Sequence, residues 1–541
     1  MTQLTGGEAV VQSLIQNGIK TLFGVPGVQN DHLYNALYDA QDHIRVIHAR
    51  HEQGAGYMAL GHALATGEPA VFSIVPGPGF LNAAAALSTA YALNAKVFCL
   101  VGQTPTHTIG KRQGVLHEIN DQIGILRNLT KWAVSATGPA EVPSLIGEAF
   151  RQLNSGRPRP VGLEVPMDVL KTRTEVDLEA IPATPFAPPV NTAQVEKAAQ
   201  ALGNAKNPII YVGSGALGVS AEVKALAEML QAPVVDYRTG RGVLDGRHPL
   251  HLFFHASHEY WKSADVVLAI GSNLRIPLQK WGTDDDMTII RIDVDPTSHA
   301  IFKTPDIAIT ARAEDTLPHL IERTVAHNPQ RADRRDALDD IRAGWAERSA
   351  YLEPQKTYLN IIREELGEDG LFVDDLTQVG YAGRLLYPVY KPRTYFTPGY
   401  QGTLGYGFPT ALGVKVAKPN QRVISITGDG GFMFSPQSLA TAVQHNIGVV
   451  TILFNNNQYG NVQQMQRNVH GGKVIATDLV NPDFVKMADS FGAQGLRADT
   501  PEQLREHIRT GFATDGPTLI EVQHGNVPSV DRFRALPRVR G

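Results

Sequence analysis

The sequence predicts an α/β protein of three domains, each built on a mainly parallel sheet, and three observations carry that expectation. The chain has 541 residues, well beyond the size at which one hydrophobic core stops growing. Short apolar runs such as AVFSIV (70–75), ADVVLAI (264–270) and RVISIT (422–427) alternate with longer helical patterns and Gly-rich turns. That alternation marks buried parallel strands joined by crossover helices. With 43% hydrophobic and 19% charged residues the chain fills large cores and lacks the composition of a disordered one.

Taken in order, the first block holds the helix-like GEAVVQSLIQNG, the strand and turn KTLFGVPG, RVIHARHEQGAGYMALGHALATG, and the strands AVFSIVPGPG, KVFCLVGQ and PVGLEVPMDVL. These define a domain over 1–175. From Glu175 to Val190 the chain is rich in Pro and small residues, which predicts an extended linker because Pro removes backbone donors and favours polyproline geometry. The middle domain, 190–330, carries PIIYVGSGALG, APVVDYRTGRG, ADVVLAIGSNL and MTIIRIDVDP, each a strand ending in a turn. A polar, charged stretch from 328 to 356 is expected to cross on helices to the third domain, 355–541.

The formal charge of -4 gives no reason to expect a nucleic-acid partner. The single cysteine, Cys99, lies in a strand-like run, so it reads as an inert core thiol and excludes an internal disulfide framework or a Cys-rich metal site. The N-terminal MTQLTGGEAVVQSLIQNG has no basic run leading into an apolar core, and no apolar stretch is long enough to span a membrane. A cytoplasmic, non-membrane setting is expected.

The strongest local signal is Ile426-Thr427-Gly428-Asp429-Gly430-Gly431, followed by Asn455-Asn456-Asn457. Gly428, Gly430 and Gly431 around one aspartate predict a tight turn with open amides, where Asp429 meets a hard cation and the amides meet phosphate oxygens. The second strand, VVTILF, delivers Asn455 and Asn456 to the same sheet edge. A carboxylate, an amide oxygen and diphosphate oxygens form the set that Mg²⁺ prefers. Taken singly, each segment also reads as an ordinary turn.

GDG with Asn456 placed 27 positions after Asp429 resembles the cofactor motif of the thiamine-diphosphate enzyme family. The resemblance implies Asp429 and Asn456 as Mg²⁺ ligands, Gln458 as a ligand through its backbone carbonyl, and Gly27, Gly428, Gly430, Gly431 and Tyr459 at the cofactor. The segment YQGTLGYG (400–407) is similar to the family's thiazolium-supporting loop, in which Gly402 and Gly405 allow close backbone approach and Leu404 bends the cofactor into a V. RHEQGA (50–55) resembles the segment with the activating glutamate. Glu52 would then be a shielded, protonated carboxyl beside the pyrimidine N1′, promoting loss of the C2 proton. The family's architecture implies two thiamine-diphosphate-binding outer domains around a middle domain, with Glu52 of one copy facing Asp429 of its neighbour in a homodimer or homotetramer.

Within that family, FGVPG, RHEQGAGYMA, VPGPGFLNA, GRPRPVGLEVP, GYGFPTALG and GDGGF resemble acetolactate synthase catalytic subunits. The implied chemistry is decarboxylation of a 2-oxo acid and carboligation of the acyl unit to a second carbonyl, with the cofactor carrying the difficult step. Several residues depart from that branch. Glu118, in VLHEINDQ, stands where the synthases carry an active-site glutamine; ionised, it repels an anionic substrate, and neutral, it can donate a proton. His117 beside it reads either as a second proton donor or as a hydrogen-bonded loop histidine. Asn273 replaces an arginine and Met465 a substrate-selecting tryptophan, with Arg275 as a nearby source of charge.

A decarboxylase and a 2-hydroxyacyl-CoA or oxalyl-CoA type lyase therefore stay open, with pyruvate oxidase behind them. Val75 and Leu278 stand where a benzoylformate-type enzyme carries histidines. The turns YVGSGALG and IGSNL are compatible with FAD or ADP in the middle domain without deciding for either.

Overall fold

The strand-like runs of the first segment become β2 (Thr21–Gly24), β3 (Arg45–His48), β4 (Ala70–Ile74), β5 (Val97–Gln103) and β7 (Val161–Pro166), joined by three strands the sequence reading did not name, β1 (Thr2–Thr5), β6 (Trp132–Ser135) and β8 (Arg173–Val176). Six of them form one sheet in the order β3-β2-β4-β5-β7-β6, with every pair parallel. Strands β4, β5 and β7 are buried along their whole length, which is why their sequences read as continuous apolar runs rather than alternating ones. This is a computed structural model, and it describes residues 1–179 and 184–541.

The expected linker begins later than its composition indicates. Glu175 and Val176 belong to β8, which pairs antiparallel with β1 in the register Leu4↔Thr174. A backbone partner far away in sequence overrides the local Pro-rich signal. Residues 180–183, the centre of the expected linker, lie outside the described residues.

The middle segment supplies β9 (Pro208–Val212), β10 (Val234–Asp236), β11 (His251–Phe253), β12 (Val266–Ile270), β13 (Thr288–Asp293) and β14 (Ile307–Thr310). They form a second six-stranded sheet ordered β11-β10-β9-β12-β13-β14, again parallel. The helix Arg335–Ser349 runs through the polar stretch expected to be helical. Beyond it, β15 (Leu371–Val373) pairs in parallel with β16 (Tyr395–Phe396).

The last segment holds β17 (Val423–Gly428), β18 (Val450–Asn455), β19 (Gln494–Ala498) and β20 (Thr518–Gln523). Parallel pairing sets β18 between β17 and β20, with β19 on the far side of β20. The chain divides into two compact units, 1–186 with 398–523 and 187–397 with 524–541. The first and last segments thus share one unit.

Their join is a helix crossing at backbone distance. A Cβ at Gly61 of the helix Glu52–Thr66 would lie 2.0 Å from the Thr410 carbonyl oxygen, and one at Gly413 of the helix Gly407–Ala417 would lie 1.9 Å from that of Met58. Only glycines permit this approach.

Candidate active site

Asp429 follows the carboxyl end of β17 and opens a single helical turn, Asp429–Phe432. The sequence expectation of a glycine-forced tight turn needs correction, since none of Gly428, Gly430 and Gly431 takes a positive φ. Gly430 is required for another reason: a Cβ there would lie 2.5 Å from the Tyr459 ring. The glycine makes room for an aromatic from the next strand's loop.

Asp429 is 2% exposed. Burial pushes its carboxyl above the ordinary aspartate value, against hydrogen bonds from Asn481 and from the backbone amides of Gly430, Asp429 and Gln458, which pull it back. The Asn481 amide nitrogen lies 2.7 Å from Asp429 Oδ2 and 3.1 Å from both Asn455 Oδ1 and Asn457 Oδ1. Asn455 donates in turn to Glu521 Oε1 at 2.7 Å, and Glu521 Oε2 accepts from Arg497. Because the Asn455 nitrogen is committed to a carboxylate, its oxygen must face Asn481.

Asn456, Gln458 and Tyr459 follow β18 beside this network. A Cβ at Gly460 would lie 2.7 Å from the Asn456 amide nitrogen, Gln458 bridges to Asp478, and the Tyr459 amide donates to the Thr477 carbonyl at 2.8 Å. Asp429, Asn456 and Gln458 are therefore gathered at one sheet edge. Among the described residues no group of three or more His, Cys, Asp or Glu side chains can hold a metal. A cation here would take one carboxylate with carbonyl oxygens, a donor set that suits a hard ion sharing its shell with phosphate.

Glu52 is the first residue of the helix Glu52–Thr66, and His51 caps it by accepting from the Gln53 amide. Glu52 is half-buried. Its Oε2 accepts from Asn82 at 2.9 Å, and its Oε1 lies 3.3 Å from the position a Cβ would take at Gly79. Gly27 closes the same edge, since a Cβ there would strike Val75 at 2.6 Å.

The loop 400–407 carries positive φ at Gly402 and Gly405, as its glycines lead one to expect. Thr403 Oγ1 lies 3.2 Å from Thr89 Oγ1, and a Cβ at Gly405 would meet Phe434 at 2.7 Å and Gln53 at 3.2 Å. Leu404 is half-buried on the turn between those glycines.

Glu118 is engaged within its own loop, accepting from the amides of Gln113, Gly114 and Val115 at 3.3, 2.7 and 3.2 Å. His117, at φ 67°, places Nδ1 2.9 Å from Gln29 Oε1. Cys99 is fully buried, which pushes its thiol up and matches an inert core residue. In the middle domain a Cβ at Gly213 would lie 2.1 Å from the Gly271 carbonyl oxygen, and Gly271 itself presses on Gly215. Mutual packing of the two turns therefore accounts for those glycines. Asn273 accepts from the Arg275 amide, and Met465 is exposed on the helix Gly460–Val469.

Asn481, Asn82 and Gln29 escaped the sequence reading. Asn481 precedes Pro482 and the N-cap Asp483, so its surroundings read as a helix start and gave no sign of a partner 52 positions away.

Three segments match known domains: residues 4–125 the thiamine pyrophosphate enzyme N-terminal TPP binding domain, 195–320 its central domain, and 375–522 its C-terminal TPP binding domain. Over 538 residues the chain is 32% identical to a probable 2-ketoarginine decarboxylase of Pseudomonas aeruginosa, covering 96% of this chain and 94% of the relative. It is 32% identical over 543 residues to the acetolactate synthase isozyme 3 large subunit of Escherichia coli, covering 94% and 92%. Against a probable acetolactate synthase large subunit of Methanocaldococcus jannaschii it is 32% identical over 574 residues, covering 99% and 93%.

Proposed function

Since the chain belongs to the thiamine pyrophosphate enzyme family, with N- and C-terminal TPP-binding domains around a central one, we propose that it decarboxylates a 2-oxo acid and, in the manner of acetolactate synthase, joins the acyl unit to a second carbonyl. Two observations support this best: a buried, oxygen-rich cluster at Asp429, and a separate carboxylate, Glu52, beside Gly79, the two halves of a site that would be completed between Asp429 of one copy and Glu52 of another. Bound thiamine diphosphate supplies an electron sink next to the substrate carbonyl, which makes loss of CO₂ possible.

The chain's own residues divide the remaining work. Asp429, Asn456 and the Gln458 carbonyl would hold Mg²⁺ against the diphosphate, and Gly430 with Tyr459 would form the wall beside it. Leu404, between Gly402 and Gly405, would hold the cofactor bent. Glu52 would keep a proton at the pyrimidine N1′; because it is half-buried in the single chain, a neighbouring copy would provide the shielding that favours its protonated form.

One observation favours a second reading, a decarboxylase that releases an aldehyde. His117 offers an oriented proton donor, whereas Glu118 is held by backbone amides. A proton delivered to the acyl carbon ends the reaction before a second carbonyl can be joined. The test is to supply thiamine diphosphate and Mg²⁺ with pyruvate, benzoylformate, 2-ketoarginine or a 2-hydroxyacyl-CoA, and to measure CO₂, aldehyde and carboligation product. Pyruvate turnover to acetolactate supports the first reading, and aldehyde alone the second. Absence of CO₂ from every 2-oxo acid, with turnover of the acyl-CoA, would overturn both.

A further inference from the structure

We infer that Gln29 is a positioning residue that locks His117 in one ring tautomer, so that Nε2 is the nitrogen that exchanges a proton with substrate. The inference rests on the decarboxylase reading above and deepens it.

Gln29 is 3% exposed and lies against Gly102 of β5, where a Cβ would come 3.3 Å from both its Cβ and its carbonyl oxygen. Its Nε2 donates to the Leu116 carbonyl at 3.0 Å. A carbonyl only accepts, so the orientation of the amide is fixed and Oε1 must be the atom 2.9 Å from His117 Nδ1. Oε1 only accepts as well, which puts a hydrogen on Nδ1. The neutral ring then carries its lone pair on Nε2, and protonation occurs there.

The backbone of His117 is fixed with equal care. Its φ of 67° is uncommon for a residue with a side chain, and such geometry persists only where surrounding contacts impose it. They do so here. Gly77, at φ 58°, comes so close that a Cβ would lie 2.3 Å from the His117 carbonyl oxygen. The Gly77 amide donates to Gln122 Oε1 at 2.7 Å, and Gln122 Nε2 donates to the buried Glu164 at 2.9 Å. Two residues beyond Gly77, Gly79 faces the Glu52 carboxylate. A strained histidine with a fixed tautomer is thus docked on the loop that borders Glu52.

The carboxylates on the surrounding elements are Glu118 on the same loop, bonded to the amides of Gln113–Val115, Asp121, which caps the helix that begins at Gln122, Glu52 across from Gly79, and Glu164 behind Gln122. Lys111 and Arg112 are exposed farther along the loop. None of these takes the place of the neutral Gln29 oxygen on Nδ1.

The bond to the carboxyl group breaks as CO₂ leaves, its electron pair stays with the acyl carbon, and the Nε2 proton of the imidazolium goes to that carbon. Water returns a proton to the ring. The net reaction is 2-oxo acid anion plus a proton giving aldehyde plus CO₂.

The experiment compares pH profiles of kcat for the wild type, Q29L, Q29E and H117Q on the 2-oxo acid that gives turnover, with KM and thiamine diphosphate affinity measured in parallel. His117→Gln should remove the high-pH limb and lower kcat on the order of 10²- to 10⁴-fold. Gln29→Leu should lower kcat on the order of 10- to 100-fold and move the limb to lower pH by about half a unit or more, because the imidazolium loses an acceptor. Gln29→Glu should move it the opposite way. If both Gln29 variants bind cofactor normally and keep the wild-type limb, the inference about Gln29 is overturned while the role of His117 stands. If the limb survives in H117Q, the decarboxylase reading falls and the inference with it. Should the Gln29 variants not fold, ¹⁵N shifts of the His117 ring in wild type, assigned by difference from H117Q, decide the matter: Nδ1–H at high pH upholds the inference and Nε2–H overturns it.

Discussion

Asp429 is buried and held by Asn481 and by backbone amides from two chain segments, whereas Glu52 is half-buried, with Asn82 as its side-chain donor. The oxygen cluster around Asp429 is braced from behind by Asn455, Glu521 and Arg497. Glu52 has glycines at its front, Gly79 and beyond it Gly27 across Val75. The difference is between a buried carboxylate held by several donors and a half-buried one. A metal and diphosphate demand fixed oxygens, because a misplaced ligand loses affinity directly. A carboxyl that must work in its protonated form needs cover, and cover can come from elsewhere.

The sharpest way to separate the two carboxylates is Glu52→Gln. Turnover should fall on the order of 10²- to 10⁴-fold and exchange of the cofactor C2 proton should slow, with thiamine diphosphate and Mg²⁺ still bound. Loss of cofactor binding in the same variant would show that the two are not independent.

The opposite pattern is expected of Asn481→Ala. Removing the donor to Asp429 should raise the Mg²⁺ concentration for half-saturation on the order of 10- to 100-fold while leaving turnover at saturating metal nearly unchanged. Titration of cofactor binding by protein fluorescence reads this directly, and an unchanged midpoint would mean that the brace plays no part in metal binding.

A smaller effect should follow from Gly430→Ala, which drives a methyl into the Tyr459 ring. Overpacking of this kind costs about 1–3 kcal/mol, seen as a lower melting temperature together with weaker diphosphate binding. An unaltered melting curve would show that the ring moves aside freely.

The smallest effect concerns Glu164, on the Glu52 side, where burial raises the carboxyl value despite donors from Gln122, Ser135 and Gln103. A carboxyl raised on folding contributes stability that is present below the unfolded value and lost as pH rises through the folded one. Glu164→Gln escapes that loss, so its melting temperature relative to the parent should climb as pH rises above the ordinary glutamate range. A difference that stays flat with pH would remove Glu164 from the account.

Much of the fold was legible because burial on both faces writes itself into the chain as apolar runs: AVFSI, VFCLVGQ and VGLEVP are β4, β5 and β7. The segments around Asp429 and Glu52 were legible because glycines and isolated oxygen donors next to such strands stand out. The β1–β8 pairing was not, since Arg173–Val176 has one buried residue and lies beside a proline-rich stretch. Nor was the use of Glu118, whose carboxylate could be assigned only once its three amide partners were seen.

By itself the sequence determined the sheet-and-helix alternation, the family, and which side chains have the chemistry to hold a metal or a proton. Tertiary structure alone decided that Gly430 serves an aromatic ring, that Asn481 holds Asp429, and that Gln29 meets the His117 ring. The physical reason is one of range. Burial pattern and backbone conformation are properties of neighbouring residues, whereas a hydrogen bond's direction and a glycine's necessity depend on atoms that approach only when distant segments fold together.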